Sequence, residues 1–311
     1  MHPSDMEPLL PPAEGKFEAA AIELHREAAA LAASAHPHTR AALARLVLVA
    51  NSYYSNLIEG HRTTPAEIEA AIKKDFSSDP GRAALQRLAA AHVYAEDALV
   101  ADVAANPTFD MTSPEFLKRV HAALYENVPT SERLVRGADG ATASVTPGEF
   151  RTRNVKVGAH EAPPYGSLPA LLARFHEGYR PGPLTPVRRV IAFAASHHRL
   201  AWIHPFLDGN GRVTRLMSTA YARRIDLDAG GLWSISRGFA RYHAEYYAML
   251  AAADAERRND YDGRGALSLS ALEDWCAFVM RVALDQISYM RSLLEPDSLT
   301  NRLRAYAGYR A

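Results

Sequence analysis

The repeat that governs this chain is helical. From about residue 15 onward, apolar residues return every three or four positions in segments rich in Ala, Leu, Arg and Glu. Such residues lose little side-chain freedom in a helix, and this spacing gathers the apolar ones on one face. The pattern predicts helices over 15–35, 40–59, 65–75, 81–104, 113–126, 167–178, 186–203, 211–224, 238–256, 269–294 and 297–308. One stretch reads as strand. SVTPGEFRTRNVKVGAH, about 144–160, sets Val145, Phe150, Val155 and Val157 among polar residues, with Pro147-Gly148 as punctuation. One hairpin cannot hold a core sheet, so it is expected to lie on the helices as a flap. The expected fold class is all-α with one β-hairpin.

Composition adds limits. A chain of 311 residues can bury a large core in one or two domains. The 35 Lys and Arg balance the 35 Asp and Glu, so no global charge calls for nucleic acid or an acidic membrane as partner. Cys276 is the one cysteine and lies in an apolar run, EDWCAFVM. It reads as a core thiol of a protein in a reducing compartment. No run of about 18 apolar residues occurs, and HPSDMEPLLPP after Met1 is not a basic-then-apolar leader. A cytoplasmic protein without a membrane partner is expected. The proline-rich first residues lack periodicity and are expected to be flexible. RRNDYDGRGA, 257–266, is the most polar internal break.

The stretch that carries chemistry is IHPFLDGNGRVTR, 203–215. Pro205 disfavours the α region at His204, so the preceding apolar helix should stop there and leave an imidazole at the mouth of a loop. Phe206 can anchor that loop. Gly209 and Gly211 flank Asn210 and permit positive φ, so successive N–H groups can converge into an anion nest. The nest opens onto a helix whose Val213, Leu216, Met217, Ala220 and Tyr221 form a buried stripe. Helix N-termini also favour anions. Arg212 and Arg215, three apart, are neighbours on the other face. Together these make a polyphosphate site. Asp208 repels phosphates on its own, but becomes a ligand through Mg²⁺. His204 is the nearby group suited to accept a proton near pH 7. A base, a metal-ligating carboxylate and a phosphate cradle describe nucleotidyl or phosphoryl transfer to a hydroxyl. His197 and His198, on the apolar helix, read as structural, and neither His92 nor His121 is given a role.

HPFLDGNGRVTR resembles the signature of Fic-domain proteins, His-x-Phe-x-Asp/Glu-Gly-Asn-Gly-Arg-x-x-Arg, at every fixed position. HEAPPYGSLPALL (160–172), AASHHRLAWIHPF (194–206) and AEYYAML (244–250) look like Fic surroundings, and about residues 40–290 are covered. The resemblance implies a protein adenylyltransferase that moves AMP from ATP-Mg²⁺ to a Ser, Thr or Tyr hydroxyl of a target protein. It implies His204 as the base and Asp208 as the Mg²⁺ ligand. Gly209, Asn210 and Gly211 would form the nest, Arg212 would bind the β phosphate and Arg215 the γ phosphate. Arginine at 212, rather than lysine, points away from the branch that phosphorylates its target. The flap would hold the target by strand addition through Val155, Val157, Gly158 and His160. Tyr246 and Tyr247 would line the adenine pocket. The implied domains are a flexible segment 1–14, a helical region 15–110 with an inhibitory helix at about 40–60, a catalytic core 111–295 and a C-terminal helix 296–311.

Many Fic proteins carry an inhibitory pattern, Ser/Thr-x-x-x-Glu-Gly/Asn, and Ser55-Asn56-Leu57-Ile58-Glu59-Gly60 matches it. Ser55 and Glu59 are i, i+4 and share a helical face. The resemblance implies that Glu59 reaches Arg215 and denies it to the γ phosphate. Two other readings stay open. The same site could remove AMP from a modified protein, with Glu59 positioning water, or the chain could be a regulatory binding module. Target identity, nucleotide preference and oligomeric state, a homo-oligomer included, are left open.

Overall fold

The computed structural model describes residues 1–12, 15–106, 108–136, 142–295 and 304. Among them are eleven α-helices and two short antiparallel strand pairs, and the fold is all-α. The helices are α1 (Gly15–Ala33), α2 (Pro37–Ile58), α3 (Pro65–Ile72), α4 (Pro80–Ala105), α5 (Pro114–Tyr125), α6 (Leu168–Tyr179), α7 (Pro186–Ile203), α8 (Asn210–Arg224), α9 (Ile235–Arg241), α10 (His243–Ala253) and α11 (Leu269–Leu294). The strands are β1 (Leu134–Arg136), β2 (Thr142–Ser144), β3 (Lys156–Val157) and β4 (His160–Glu161).

Local chemistry explains where many helices begin. Thr64, Asp79, Ser113 and Thr185 each precede a proline, and each side-chain oxygen accepts the backbone N–H three residues on. The cap satisfies an orphan donor, and proline at the first helical position loses an N–H that had no partner anyway. α7 runs through the middle of the molecule. From Val190 to Leu200 every side chain is buried, and Trp275 of α11 donates its indole N–H to Ala194 O at 2.7 Å. α6, α8, α11 and α1 pack around it. No described helix is long and apolar enough to cross a membrane.

Three expectations need correction. The single hairpin is two: β1 pairs with β2, and β3 pairs with β4 around Gly158, whose φ is +61°. Strands of two or three residues are too short for alternation to register in sequence. The helix expected over 238–256 is two, α9 and α10, which divide at Tyr242. No Gly or Pro marks the break. α9 begins at the Ser234 cap and packs so closely on α11 that a Cβ on Gly238 would overlap Val282.

The third correction concerns the N-terminal segment. Met6 and Leu9 are buried, and the carbonyls of Glu7, Pro8 and Leu9 accept from the Leu267 N–H, Arg199 and the Tyr179 hydroxyl. Bonds to its backbone carbonyls and two buried side chains, not sequence periodicity, hold it. Residues 13–14, and all of the helix expected over 297–308 except Arg304, lie outside the described residues.

Candidate active site

α7 stops where Pro205 requires. His204 has φ +49° and ψ +60°, a left-handed conformation unusual for a residue with a side chain. Its own N–H donates to Leu200 O at 3.1 Å. Arg151, 4 % exposed, fixes the other side: its Nε donates to His204 O at 2.7 Å and its backbone N–H to Pro205 O at 2.9 Å. The rest of the guanidinium serves the carbonyls of Arg153, Pro163 and Ile203. Burial pushes this arginine down to about 10.

The geometry sets the imidazole's protonation. Nδ1 of His204 lies 3.3 Å from Ala201 O, and a carbonyl only accepts, so Nδ1 carries the proton. Nε2 then keeps a lone pair. Burial, with the positive charges of His160 and Arg151, pushes the pKa down to about 4, so the ring is neutral at pH 7.

The loop after His204 is built by its own side chains. Phe206 is fully buried and stacks on His121, with ring centroids 4.0 Å apart and planes 2° from parallel. Asn210 accepts the Phe206 N–H at 2.8 Å and donates back to Phe206 O at 2.9 Å. Its side chain therefore shapes the loop. Gly209 takes φ +77° at the start of α8. Gly211 has an ordinary helical φ, and its absent side chain serves a different need. A Cβ there would overlap the Glu59 carboxylate.

Asp208 lies beside this start, its side chain 44 % exposed. Tyr125 donates its hydroxyl to Asp208 Oδ2 at 2.5 Å, and Arg212 Nη2 approaches the same oxygen at 3.2 Å. Burial opposes ionisation, but Arg212, Tyr125 and the Gly209 N–H together hold the carboxyl below its usual range. An ionised, partly exposed carboxylate suits a hard cation such as Mg²⁺. Among the described residues no group of three or more His, Cys, Asp or Glu could hold a metal ion by itself. Such an ion would share Asp208 with phosphate oxygens and water, the usual arrangement for Mg²⁺.

Both arginines are buried, Arg212 to 2 % exposure and Arg215 to 1 %. Arg212 Nη2 donates to Tyr125 Oη at 2.7 Å, and its guanidinium lies 5.2 Å from that ring's centre. Its Nε and Nη1 have no protein partner. Arg215 donates through Nε to Ser55 Oγ at 2.9 Å, and through Nη2 to Ser55 O at 3.0 Å and Glu59 Oε1 at 2.5 Å.

A helix cap presents Glu59 to this arginine. Gly60 has φ +80°, its N–H donates to Leu57 O, and the His61 N–H donates to Asn56 O. That pair of bonds is a Schellman closure, and it makes Glu59 the C-cap that follows Ile58, the last residue of α2. Burial raises the Glu59 pKa, but the charge and hydrogen bond of Arg215, with the charge of Arg212, bring it below the usual value.

The flap hangs on a second charged contact. His160 Nδ1 meets Asp254 Oδ2 at 3.0 Å, and Nε2 meets Trp202 O at 2.9 Å. Both partners are acceptors, so the imidazolium satisfies them best. Burial opposes the charge, yet Asp254 raises the His160 pKa overall. The ring lies 6.4 Å from that of His204. Asp254 also meets His198 Nε2 at 3.0 Å, so it ties flap to α7. Val157 is half exposed, Gly158 is exposed, and Val155 O accepts the Ala162 N–H.

The tyrosine pair separates. Tyr246 is a core residue, 3 % exposed: it stacks on Phe239, and its hydroxyl pairs with His197 Nε2 at 3.0 Å. Its expected place in an adenine pocket is not what the packing gives it. Tyr247 is 44 % exposed and donates to Ile58 O at 3.2 Å, on the last turn of α2. Tyr125, His121, Arg151 and Asp254 went unread in the sequence. Only His121 and Tyr125 left a trace there, an i, i+4 pair on one face of α5.

Residues 111–222 match the Fic/DOC family. The chain carries a Fic domain. The protein adenylyltransferase Fic of Drosophila erecta is 32% identical over 112 residues, which are 35% of this chain and 23% of that one. The match thus spans less than a quarter of that relative's length. A Fic family protein from Desulfovibrio desulfuricans G20 superposes with a TM-score of 0.65 at 20% identity, over 90% of this chain and 74% of that one. A Fic domain containing signaling protein from Bacteroides thetaiotaomicron gives 0.65 at 17% identity, over 89% and 97%. At these identities the two structures establish a shared fold. The likeness extends well beyond the Fic domain itself, to most of the chain.

Proposed function

We propose that this protein is a Mg²⁺-dependent protein adenylyltransferase of the cytoplasm, restrained by its own Glu59. AMP passes from ATP to a Ser, Thr or Tyr hydroxyl of a target protein. His204 Nε2 takes the hydroxyl proton, and the oxygen attacks the α phosphorus. The bond from that phosphorus to the bridging oxygen breaks, and pyrophosphate leaves. Asp208 would hold the Mg²⁺, which when bound would supply positive charge against the phosphates. Arg212 and the N–H groups at the start of α8 hold the β phosphate, and Arg215 the γ phosphate. The target strand pairs with the β3–β4 flap beside Val155, Val157 and Gly158, while His160 anchors that flap. The catalytic core is taken as 111–295, and the inhibitory helix as α2.

One observation carries this reading: a carboxylate of the protein itself lies against Gly211 and on Arg215, where an anion site is expected. Labelling with α-³²P-ATP tests it. Transfer of label to protein is expected from the wild type at a low rate, and none from His204→Ala, a loss of at least the ~10²–10⁴-fold typical of a general base. Equal labelling by both would sink the assignment of His204. A second reading has its own support. Glu59 remains 30 % exposed beside Gly211 at the start of α8, so it could orient water for AMP removal. Release of AMP from a modified target, lost in Glu59→Gln, is the result that would favour this reverse reaction.

A further inference from the structure

Asp208 and Arg212 are joined by a third residue. Tyr125 closes the last turn of α5 and is 2 % exposed. Its hydroxyl donates to Asp208 Oδ2 at 2.5 Å and accepts from Arg212 Nη2 at 2.7 Å. Its ring lies under the Arg212 guanidinium, 5.2 Å away, and against Gly209, where an added Cβ would stand 2.9 Å from the ring edge. One side chain thus touches the carboxylate, the arginine and the left-handed glycine between them. We propose that Tyr125 is a positioning residue for the metal–diphosphate site, fixing which oxygen of Asp208 faces the ligand and how far Arg212 stands from it. This rests on the reading of Asp208 as the Mg²⁺ ligand.

The physical reason is orientation. A carboxylate in water swings freely, and Mg²⁺ demands near-octahedral geometry. A hydrogen bond to Oδ2 removes one rotational freedom and turns the other oxygen outward. Partners of this kind around metal ligands typically change metal affinity by about 10–100-fold. The grip on Arg212 works in the same direction, since Coulomb repulsion between Asp208 and phosphates is relieved only while both groups keep their places. His121, one turn earlier on α5, backs the arrangement: it stacks on Phe206 and meets Asp208 O at 3.3 Å.

The test uses ADP, which lacks the γ phosphate and so avoids the Glu59–Arg215 pair. ADP binding is measured calorimetrically with Mg²⁺ and with EDTA, in wild type, Tyr125→Phe and Asp208→Ala. The Phe variant keeps the ring and its contacts with Gly209 and Arg212. Wild type is expected to bind ADP more tightly with Mg²⁺, Asp208→Ala to lose that gain, and Tyr125→Phe to lose about tenfold or more of it. A general loosening would lower affinity with and without Mg²⁺ alike and leave their ratio intact, which would overturn the proposal. So would a full Mg²⁺ gain in Tyr125→Phe when Asp208→Ala has lost it. If wild type shows no Mg²⁺ gain, or Asp208→Ala keeps it, the reading of Asp208 falls and the proposal with it.

Discussion

Replacing Glu59 by Gly should free Arg215, and the structure sets the size of the effect. Arg215 is 1 % exposed and makes three bonds to α2, two to Ser55 and one to Glu59. The Ser55 bonds survive the substitution and keep the guanidinium in place. What is lost is one charge-assisted bond, worth about 1.5–3 kcal/mol. The Glu59 side chain is 30 % exposed, so solvent screening favours the lower half of that range. At about 1.4 kcal/mol per decade, ATP affinity should rise roughly ten- to thirtyfold. Without nucleotide the same loss leaves a buried cation short of its partner, so the variant should melt earlier than wild type and gain more from ATP. ADP has no γ phosphate and should bind both proteins within about twofold. Glu59→Gln, which keeps an oxygen acceptor but not the charge, should fall between. Isothermal titration with ATP and ADP, with melting curves in parallel, reads all of this. Equal ATP affinity in wild type and Glu59→Gly would refute the reasoning. So would an ADP affinity that rises as much as that for ATP, because the gain would then not come from the γ-phosphate arginine.

Two further outcomes follow from titration. The His160 pKa lies above 6.5, so its ion pair with Asp254 contributes fully below 6.5 and is lost as pH rises through the raised value; NMR titration of the ring should show this, Asp254→Asn should remove the elevation, and a wild-type value of 6.5 or less would contradict the flap anchor. Glu96 is fully buried beside Asn51 and His92, and burial pushes its carboxyl up to about 8. Its ionisation in the unfolded chain therefore costs stability progressively as pH rises from about 4.5 towards 8, so Glu96→Gln should melt with wild type at pH 4 and above it, by on the order of 1–3 kcal/mol, at pH 8.

The fold was legible because its signals are local. Caps such as Thr185-Pro186 and a stripe such as Val213, Leu216, Met217 each act within a few residues. The candidate site was legible for a related reason: base, carboxylate, nest and arginines come from one run of a dozen residues, each with its own backbone consequence. Arg151 shows what escapes. A buried cation normally announces itself by a carboxylate, but this one is satisfied by backbone carbonyls of His204, Arg153, Pro163 and Ile203. Every residue supplies a carbonyl, so no side-chain pattern can mark such partners. Tyr125 was hidden differently, because a tyrosine on the apolar face of a helix reads as core and only its hydroxyl has a separate task. The same rule separates the tyrosine pair of α10, where adjacent positions fall about 100° apart on the helix and so into core and surface.

Glu59 lies between these cases. Its place at the end of α2 follows from Gly60, which local rules supply, and its face follows from the spacing to Ser55. Its partner lies 156 residues away and follows from neither. What joins them is packing. The Ser52 hydroxyl donates to Ala89 O and Asn51 to Glu96, fastening α2 to α4, while Tyr247 holds the Ile58 carbonyl. These bonds set the height and rotation of α2 over α8, and a one-residue shift would turn Ser55 and Glu59 about 100° away from Arg215. A helix fastened at three places explains how one carboxylate can meet one guanidinium through so long a separation. It also locates the freedom that remains. Backbone movement of α2 must break those bonds, whereas the partly exposed Glu59 side chain at the helix end can leave Arg215 by rotating about its own bonds, so the low-cost route to an open γ-phosphate site is a change of rotamer.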